Sequence, residues 1–355
     1  MAVLYNMSIT KDQLMKRVGD ISQVAGAKEY QLTSGQGKGV NAIDVRNGSG
    51  LEFTIVPDRG MDIAWCRFEG MPISFVSKVG VNAAGYYEET DKGFVRGFYG
   101  GLLTTCGYTH MGKVCEDEGE KLGLHGYASH IRAHDVSVYQ EWEGDEFVIK
   151  VRGKVAETKV FGANIVLTRV ISTRLCDNRI IIEDSIENCG FDAQPFMLLY
   201  HHNLGYPIVS ENTVLYTSGG DVLPQSEHAA DDIQKHKEFQ APTNGYKAQV
   251  FCHKLQPDAN GDVFACLFNS TLGVSGKGSY IKFNNSTLPY LMEWKQMREG
   301  DYAVGLEPGT WLTEGRNVAR ERGELDFIQA GEIKKFKLEI GVILDEEHLK
   351  RIRNL

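Results

Sequence analysis

Two short motifs in the chain carry side chains that suit proton transfer. Residues 124–128 read LHGYA around His125, and residues 305–309 read GLEPG around Glu307. An imidazole gains or loses a proton near neutral pH, and a carboxylate that is partly desolvated among apolar neighbours becomes a stronger base. The two motifs therefore predict an acid and a base acting on one substrate. The plainer alternatives are a surface turn for His125 and a solvated strand end for Glu307.

The dipeptide His201-His202 follows the apolar run 196–199 (FMLL), which is typical of a strand. Successive side chains of a strand face opposite sides, so only one of the two imidazoles can face a given site. The sequence leaves open which one does so. It predicts no metal site at the dipeptide, because no third ligand stands at a recognisable spacing.

Two arginines lie next to glycines. Arg96 precedes residues 97–101 (GFYGG), and Arg59 stands in residues 58–62 (DRGMD) after Pro57. Glycines allow the backbone to approach a ligand closely, and a guanidinium group can hold several hydroxyl groups. Both arginines are therefore candidate binding residues. The alternatives are a flexible surface loop for Arg96 and an ordinary turn for Arg59.

The tripeptide Glu293-Trp294-Lys295 places an indole between two charged side chains. An indole packs well on the apolar face of a sugar ring, although a core position is the alternative for any single tryptophan. All three residues are candidates for substrate binding. The basic side chains that would serve a phosphorylated sugar are Lys78, Lys92, Arg96 and Lys295.

The elements that must position these side chains are predicted to be strands. Apolar runs rich in β-branched residues, separated by turn signals, predict hairpins. The predicted hairpins join 135–142 to 147–152 and 164–175 to 180–188, and further strands are predicted at 53–56, 262–269, 279–284, 289–294, 302–307 and 335–344. Short helices are predicted near each end, at 10–22 with Thr10 as N-cap and at about 345–354. The polar stretch 221–249 is a candidate lid. Many strands and little helix predict an all-β protein made of packed sheets or a barrel.

Composition excludes several classes of protein. The 355 residues have a formal charge of −9, with 42% hydrophobic and 24% charged residues, which is typical of a soluble globular protein. No basic stripe predicts nucleic-acid binding. No run approaches the roughly 20 apolar residues of a membrane span, and no signal peptide is recognisable. The 7 cysteines are scattered without a Cys-x-x-Cys, which favours reduced thiols in the cytoplasm.

Taken in chain order, these motifs resemble the galactose mutarotase-like superfamily, and the chain is most similar to its aldose 1-epimerase family. The resemblance covers roughly residues 40–344, including 96–128, 305–308 and the ending 329–332 (QAGE). It implies a β-supersandwich of antiparallel sheets with the site in the concave face of one sheet. The single domain 1–355 would comprise an N-terminal extension 1–30 with a short helix, the sandwich 40–344 and a C-terminal helix 345–355.

The resemblance also implies a reaction, the interconversion of sugar anomers. Glu307 would take the proton of the anomeric hydroxyl, and His201 or His202 would protonate the ring oxygen. The ring would then open and close again as the other anomer. His125 and Arg96 would bind the sugar. This chemistry requires no cofactor, no metal ion and no covalent intermediate.

The chain departs from the family pattern at two places. The second family histidine usually stands in a His-x-Tyr-Phe context, whereas residues 201–204 read HHNL, and no aspartate in 221–263 has a matching motif for holding sugar hydroxyls. Two other functions therefore stay open: a non-catalytic carbohydrate-binding or sensing protein on the same scaffold, and an epimerase acting at another carbon, or a lyase. The expected ligand is a small carbohydrate. A homodimer is compatible with the exposed face of a large sheet, but no feature requires it.

Overall fold

The computed structural model describes residues 2–4 and 7–353, and about half of these residues lie in strands. The strands are β1 (Ala2–Leu4), β2 (Met7–Ile9), β3 (Gly26–Gln31), β4 (Asn41–Arg46), β5 (Leu51–Val56), β6 (Asp62–Phe68), β7 (Met71–Pro72), β8 (Phe75–Val76), β9 (Gly100–Gly101), β10 (Leu103–Tyr108), β11 (Cys115–Asp117), β12 (Glu120–Leu122), β13 (His134–Glu143), β14 (Glu146–Thr158), β15 (Asn164–Arg174), β16 (Arg179–Asn188), β17 (Gln194–Gly205), β18 (Thr213–Thr217), β19 (Gly220–Pro224), β20 (Gln249–Leu255), β21 (Asp262–Asn269), β22 (Lys277–Asn284), β23 (Tyr290–Arg298), β24 (Asp301–Gly309), β25 (Asp326–Ile328) and β26 (Ile333–Ile343). The helices are α1 (Lys11–Met15), α2 (Phe94–Gly97), α3 (Glu227–Asp231), α4 (Arg316–Glu321) and α5 (Glu346–Arg353).

Most of these strands belong to two large antiparallel sheets. The first sheet has the order β19-β20-β23-β24-β17-β10-β6-β5-β4-β3, with β25 paired to β17 and β7 to β6. The second has the order β13-β14-β15-β16-β26-β22-β21-β18. Their facing side chains form one large apolar core, which includes Ile55 and Leu306 from the first sheet and Ile171 and Leu338 from the second. The predicted all-β architecture of antiparallel sheets packed face to face is confirmed.

The two predicted hairpins are present as β13–β14 and β15–β16. Side chains of β15 alternate between buried and half-buried positions along its length, because successive residues of a strand face opposite sides of the sheet. The turn from β15 to β16 includes Cys176, whose φ of 65° lies in the left-handed region. All other predicted strands are also present, several of them longer than the sequence indicates.

A buried ion-pair network joins the two sheets across the core. Arg169 of β15 lies between two carboxylates, 2.7 Å from Asp184 of β16 and 2.9 Å from Asp62 of β6. The hydroxyl of Tyr200 in β17 donates a hydrogen bond to Asp184 at 2.7 Å, and the hydroxyl of Thr105 in β10 donates to Asp62 at 2.6 Å. All five side chains are buried, so each charge depends on its partners for solvation.

The short terminal helices are confirmed, but the first is shorter than predicted. Thr10 caps α1 through a reciprocal capping box with Gln13, as its position suggests. The helix ends at Met15 rather than continuing to residue 22, in keeping with the poor helix propensity of Gly19. At the other end, α5 lies inside the predicted range, and residue 354 lies outside the described residues.

The candidate lid at 221–249 begins with β19, continues through α3 and a turn of 3-10 helix at Ile233–Lys235, and returns to the sheet at β20. Phe239 from this segment joins the main core, so the segment packs against the core. Among the described residues, no helix has both the length and the apolar character that crossing a membrane requires. All 7 cysteines are free thiols, as the sequence predicts.

Candidate active site

The face of the first sheet that is turned away from the core carries a second apolar cluster. Its buried members are Phe94, Cys106, Met111, Met197, Leu199, Cys252, Met292, Trp311 and Ala319. Phe98, Leu124, Val250, Tyr290 and Leu312 pack against this cluster and are partly exposed. Strands β10, β17, β20 and β23 each contribute to it, so it forms an apolar floor across the middle of the sheet.

His201 and Glu307 meet on this floor. Strands β17 and β24 are antiparallel neighbours, and their register pairs His202 with Leu306 and so sets His201 opposite Glu307. Nε2 of His201 lies 3.1 Å from Oε1 of Glu307, and the side chains are only 6% and 3% exposed. The pairing of β17 with β24 thus brings together two residues that lie more than a hundred positions apart in the sequence.

The contact between these two side chains is close but poorly aligned. Although 3.1 Å separates the two atoms, Oε1 of Glu307 makes no hydrogen bond to any described residue, and neither does Nδ1 of His201. A buried polar atom without a partner costs about 1–3 kcal/mol. A ligand with hydroxyl groups would satisfy both atoms, so the pair has the chemistry of a binding site for a polar substrate.

His125 stands next to the pair, on a turn that only a strained backbone can make. Its φ of 60° lies in the left-handed region, and its backbone N–H donates to the carbonyl of Gly112 at 2.8 Å. The imidazole ring meets that of His201 edge to face at 5.7 Å between ring centroids. Its Nδ1 is buried and has no partner among the described residues. The turn therefore presents a third unsatisfied polar group at the same place.

Aromatic side chains form a wall beside the polar groups. The ring of Trp294 lies 5.5 Å from that of His201, and Phe98 lies 5.1 Å from His201 and 6.3 Å from Trp294. Trp294 pairs with Gly305 in the β23–β24 register and therefore shares a face with Glu307. Since Trp294 and Phe98 are partly exposed, they are available to pack on the apolar face of a sugar ring.

Burial shifts all three ionisable groups toward their neutral forms. Loss of solvent raises the pKa of Glu307 well above its usual range. Burial likewise lowers the pKa of His201 to about 4, and burial together with the neighbouring His201 lowers the pKa of His125 well below its usual range. Burial thus favours a proton on Glu307 and disfavours one on His201.

His202 faces the other way and is separated from the pair. Its Nδ1 lies 2.8 Å from the carbonyl oxygen of Leu102, and the residue is fully buried. The geometry thus answers the question that the sequence leaves open, because it is His201 that lies against Glu307.

Glu293 and Lys295 also lie on the opposite face from Trp294. In the register of β20 and β23 they share a face with Phe251 and Gln249. Glu293 is fully buried and contacts His253 and His236 instead of the site. Neither residue is placed to contact a sugar that packs on Trp294, contrary to the expectation from the tripeptide.

Arg59 uses four of its five N–H donors on protein groups. Its buried guanidinium donates to the backbone carbonyls of Ser129, Asn82 and Gly97 at 2.8, 2.9 and 2.9 Å, and also to the side chain of Asn82. These bonds tie together the segments that carry Phe98 and His125. The buried guanidinium is therefore directed at protein groups, and the expectation that Arg59 holds substrate hydroxyls has no support from the geometry.

Arg96 points to the surface. Phe94 begins the short helix α2 and Phe98 follows its end, and their rings stack on each other, whereas the side chain of Arg96 is exposed. Its side chain is 74% exposed and lies 3.4 Å from Glu88. The structure does not bring Arg96 to the cluster, so the expectation that it binds hydroxyls has no support from the geometry.

An open cavity of about 1000 Å³ lies beside the His125 turn. Its lining includes Gly126 and Tyr127 from the turn, together with His110 and Arg316. Both ring nitrogens of His110 are buried without a hydrogen-bond partner among the described residues. His110 did not stand out in the sequence, because no motif surrounds it.

The comparisons with known proteins agree on the fold. The family model described as a domain of unknown function (DUF4432) matches residues 37–342. A candidate aldose 1-epimerase from Klebsiella pneumoniae superposes with a TM-score of 0.88 at 23% identity, over 98% of this chain and 89% of that one. No curated protein matches the chain.

Two more distant solved structures have the same architecture. A galactose mutarotase-like protein from Clostridium acetobutylicum superposes with a TM-score of 0.61 at 16% identity, covering 90% of this chain and 99% of that one. A galactose 1-epimerase from Lactobacillus acidophilus gives a TM-score of 0.55 at 12% identity, covering 90% and 98%. The predicted galactose mutarotase-like fold is confirmed.

Proposed function

We propose that this chain, which belongs to the DUF4432 family, is a sugar isomerase of the aldose 1-epimerase type. Its substrate would be an aldose or a modified sugar whose two anomers it interconverts. The observation that carries the proposal is the buried His201–Glu307 pair, with 3.1 Å between Nε2 and Oε1. The anomeric hydroxyl and the ring oxygen are bonded to the same carbon atom, so an acid and a base this close together can serve both of them.

In this reaction the sugar gives one proton to the protein and receives another from it. Glu307 takes the proton of the anomeric hydroxyl, and His201 gives a proton to the ring oxygen while the bond between that oxygen and C1 breaks. The open-chain aldehyde turns about its C1–C2 bond. The ring closes on the other face of the carbonyl group, and the two protons return. General acid and general base catalysis each contribute about 10²- to 10⁴-fold.

His125, Trp294 and Phe98 would bind and orient the ring. The imidazole of His125 offers its unpartnered Nδ1 to a sugar oxygen, and Trp294 offers an apolar surface to the C–H face. Hydrogen bonds from sugar hydroxyls to the carboxylate of Glu307 favour its ionised form. Substrate binding thus moves the shared proton from Glu307 toward His201, which prepares both groups for ring opening.

The pH dependence should follow the number of protons on the pair. Activity requires one proton in total, so it is lost when the pair gains a second proton or loses its only one. Burial lowers the pKa of His201 to about 4 and raises that of Glu307 well above its usual range, which moves the two limits apart. We expect a flat profile of kcat/KM through neutral pH, with the acid limb well below the ordinary histidine pKa of about 6.5. A profile with an acid midpoint near 6.5 would contradict this assignment.

Anomer exchange measured by saturation-transfer NMR is the test of the function itself. A panel of aldoses and sugar phosphates would be mixed with the protein, and faster exchange of one sugar is the expected result. No acceleration of any sugar, together with saturable sugar binding, would instead identify a carbohydrate-binding or sensing protein. Running the same panel in D₂O separates the third possibility, because mutarotation exchanges only oxygen-bound protons, whereas epimerisation at another carbon introduces carbon-bound deuterium.

The free thiols of all 7 cysteines fit a reducing compartment and support the proposal that the protein acts in the cytoplasm.

A further inference from the structure

Three potential metal ligands converge beside strands β20 and β23, on the face of the sheet opposite Trp294. They are His253 on β20, Glu293 on β23 and His236 just after the 3-10 turn. Nε2 of His253 lies 2.9 Å and Nδ1 of His236 lies 3.3 Å from the same oxygen, Oε2 of Glu293. The three ligand atoms all lie within 4.8 Å of one another, and all three residues are buried.

The hydrogen bonding of this cluster is incomplete. Both imidazoles point at Oε2 of Glu293, while Oε1 is buried and has no partner among the described residues. A carboxylate that served only to accept two hydrogen bonds would gain more by using both of its oxygens. The convergence on one point, with a free oxygen beside it, is the arrangement expected around a cation.

Two of the three spacings between ligand atoms are close to those around a tetrahedral ion, and the third is within 4.8 Å. Zinc binds imidazole nitrogen and carboxylate oxygen at about 2.0–2.2 Å, which places neighbouring ligand atoms roughly 3.3 Å apart. The observed separations of 2.9 and 3.3 Å are close to that value. Imidazole with carboxylate is also a donor set that transition metals prefer over magnesium or calcium.

The charge of the cluster suits a cation as well. Glu293 is the one acidic member of the cluster, and its carboxylate lies at the point where both imidazoles converge. The nearby ammonium of Lys295 is directed elsewhere, since it donates to the carbonyl of Lys235 at 3.2 Å and lies over the ring of Phe239.

We propose that His236, His253 and Glu293 form a binding site for one divalent transition metal ion, for which zinc is the best fit. The ion would tie the segment between β19 and β20 to the back of the sheet. Strands β20 and β23 carry Cys252, Met292 and Trp294 on their other face, so the ion would also stiffen the wall of the candidate active site. The proposal is independent of the isomerase function, because the ion would lie on the opposite face from Glu307.

Metal analysis of the full-length protein, purified without a histidine tag, tests the proposal. We expect close to one zinc ion per chain after exchange into excess zinc chloride and removal of unbound metal. Cobalt(II) chloride added to the chelator-treated protein should give the visible absorption of a tetrahedral ion. His253→Asn and Glu293→Gln should each weaken zinc affinity by more than the roughly 10- to 100-fold lost when a residue behind a ligand is changed.

The matched control is His228→Asn. His228 lies on α3 in the same segment, outside the cluster, and should leave the metal content unchanged. Circular dichroism would establish that each variant is folded. His236→Gln removes the ligand that lies in the connecting segment, outside the strands. The proposal is overturned if the folded wild-type protein takes up no stoichiometric zinc, or if the three ligand variants retain as much metal as the control.

Discussion

Glu307→Gln is expected to lower kcat for anomer exchange by about 10²- to 10⁴-fold, the range for loss of a general base. Glutamine has nearly the shape of glutamate, so it fills the same place beside His201, but it cannot take a proton from the anomeric hydroxyl. The substrate should still bind, because the aromatic wall and His125 are untouched. KM is therefore expected to change much less than kcat. Saturation-transfer NMR over a range of sugar concentrations measures both quantities.

Glu299→Gln provides the matched control for this variant. Glu299 lies in the turn between β23 and β24, on the same hairpin as Glu307, but its side chain is exposed. Removing its charge should leave exchange at the wild-type rate. If Glu307→Gln retained wild-type exchange while remaining folded, the base would have to be another group, and the His201–Glu307 mechanism would be wrong.

Arg169→Met is expected to cause the largest loss of stability, about 3–5 kcal/mol in the free energy of unfolding. The substitution keeps most of the aliphatic volume but leaves Asp62 and Asp184 buried without their shared cation. Burial already raises the pKa of Asp62 to about 6, although Arg169 acts to lower it. Without the arginine, each carboxylate must take up a proton or remain as an uncompensated charge in the core. Urea unfolding followed by tryptophan fluorescence measures the loss.

The control for this prediction is Arg174→Met on the same strand. Arg174 pairs with Glu146, and both side chains are more than half exposed. An exposed ion pair contributes at most about 1 kcal/mol, because water solvates both charges when the pair is broken. Equal losses for the two variants would mean that the buried network does not stabilise the packing of the two sheets.

The strands were the part of the fold that the sequence predicted best. In β15 and β16 the runs of β-branched residues on either side of a turn signal predicted the strands, because apolar and polar residues alternate only partly in the sequence although burial alternates in the structure. The order of strands in the sheets could not be read in the same way. Strand order depends on pairing between strands that are far apart in the sequence, such as β16 with β26. No local sequence pattern indicates which strands pair in this way.

The proximity of His201 and Glu307 was predictable in part. Glu307 and the His201-His202 dipeptide stood out by residue type, and alternation required that only one imidazole face the site. The same alternation separates Trp294 from Glu293 and Lys295, so the two charged neighbours could have been assigned to the other face from the sequence. The choice of His201 over His202 needed the register of β17 with β24, which only the structure supplies.

The roles of the two arginines could not be judged from their neighbours in the sequence. The glycines near Arg59 indicated that the backbone there approaches a ligand closely. In the structure the guanidinium of Arg59 instead donates to backbone carbonyls of the protein. The His236, His253 and Glu293 cluster was missed for a related reason. Its members come from three distant segments and have no short spacing that a metal motif would show.

His201 and Glu307 lie on hydrogen-bonded neighbours in the middle of the first sheet. Adjacent strands lie about 4.8 Å apart, so backbone pairing sets the distance between the side chains of His201 and Glu307. Phe98 and His125, by contrast, lie outside the large sheets, in loops that tolerate insertion and exchange. Under the proposed function, a change in these loops would alter the sugar that is accepted, while the sheet would keep the two proton-transfer groups in place. A slip of one residue in β24 would turn Glu307 into the core, which would disrupt both the packing of the sheets and the proposed activity.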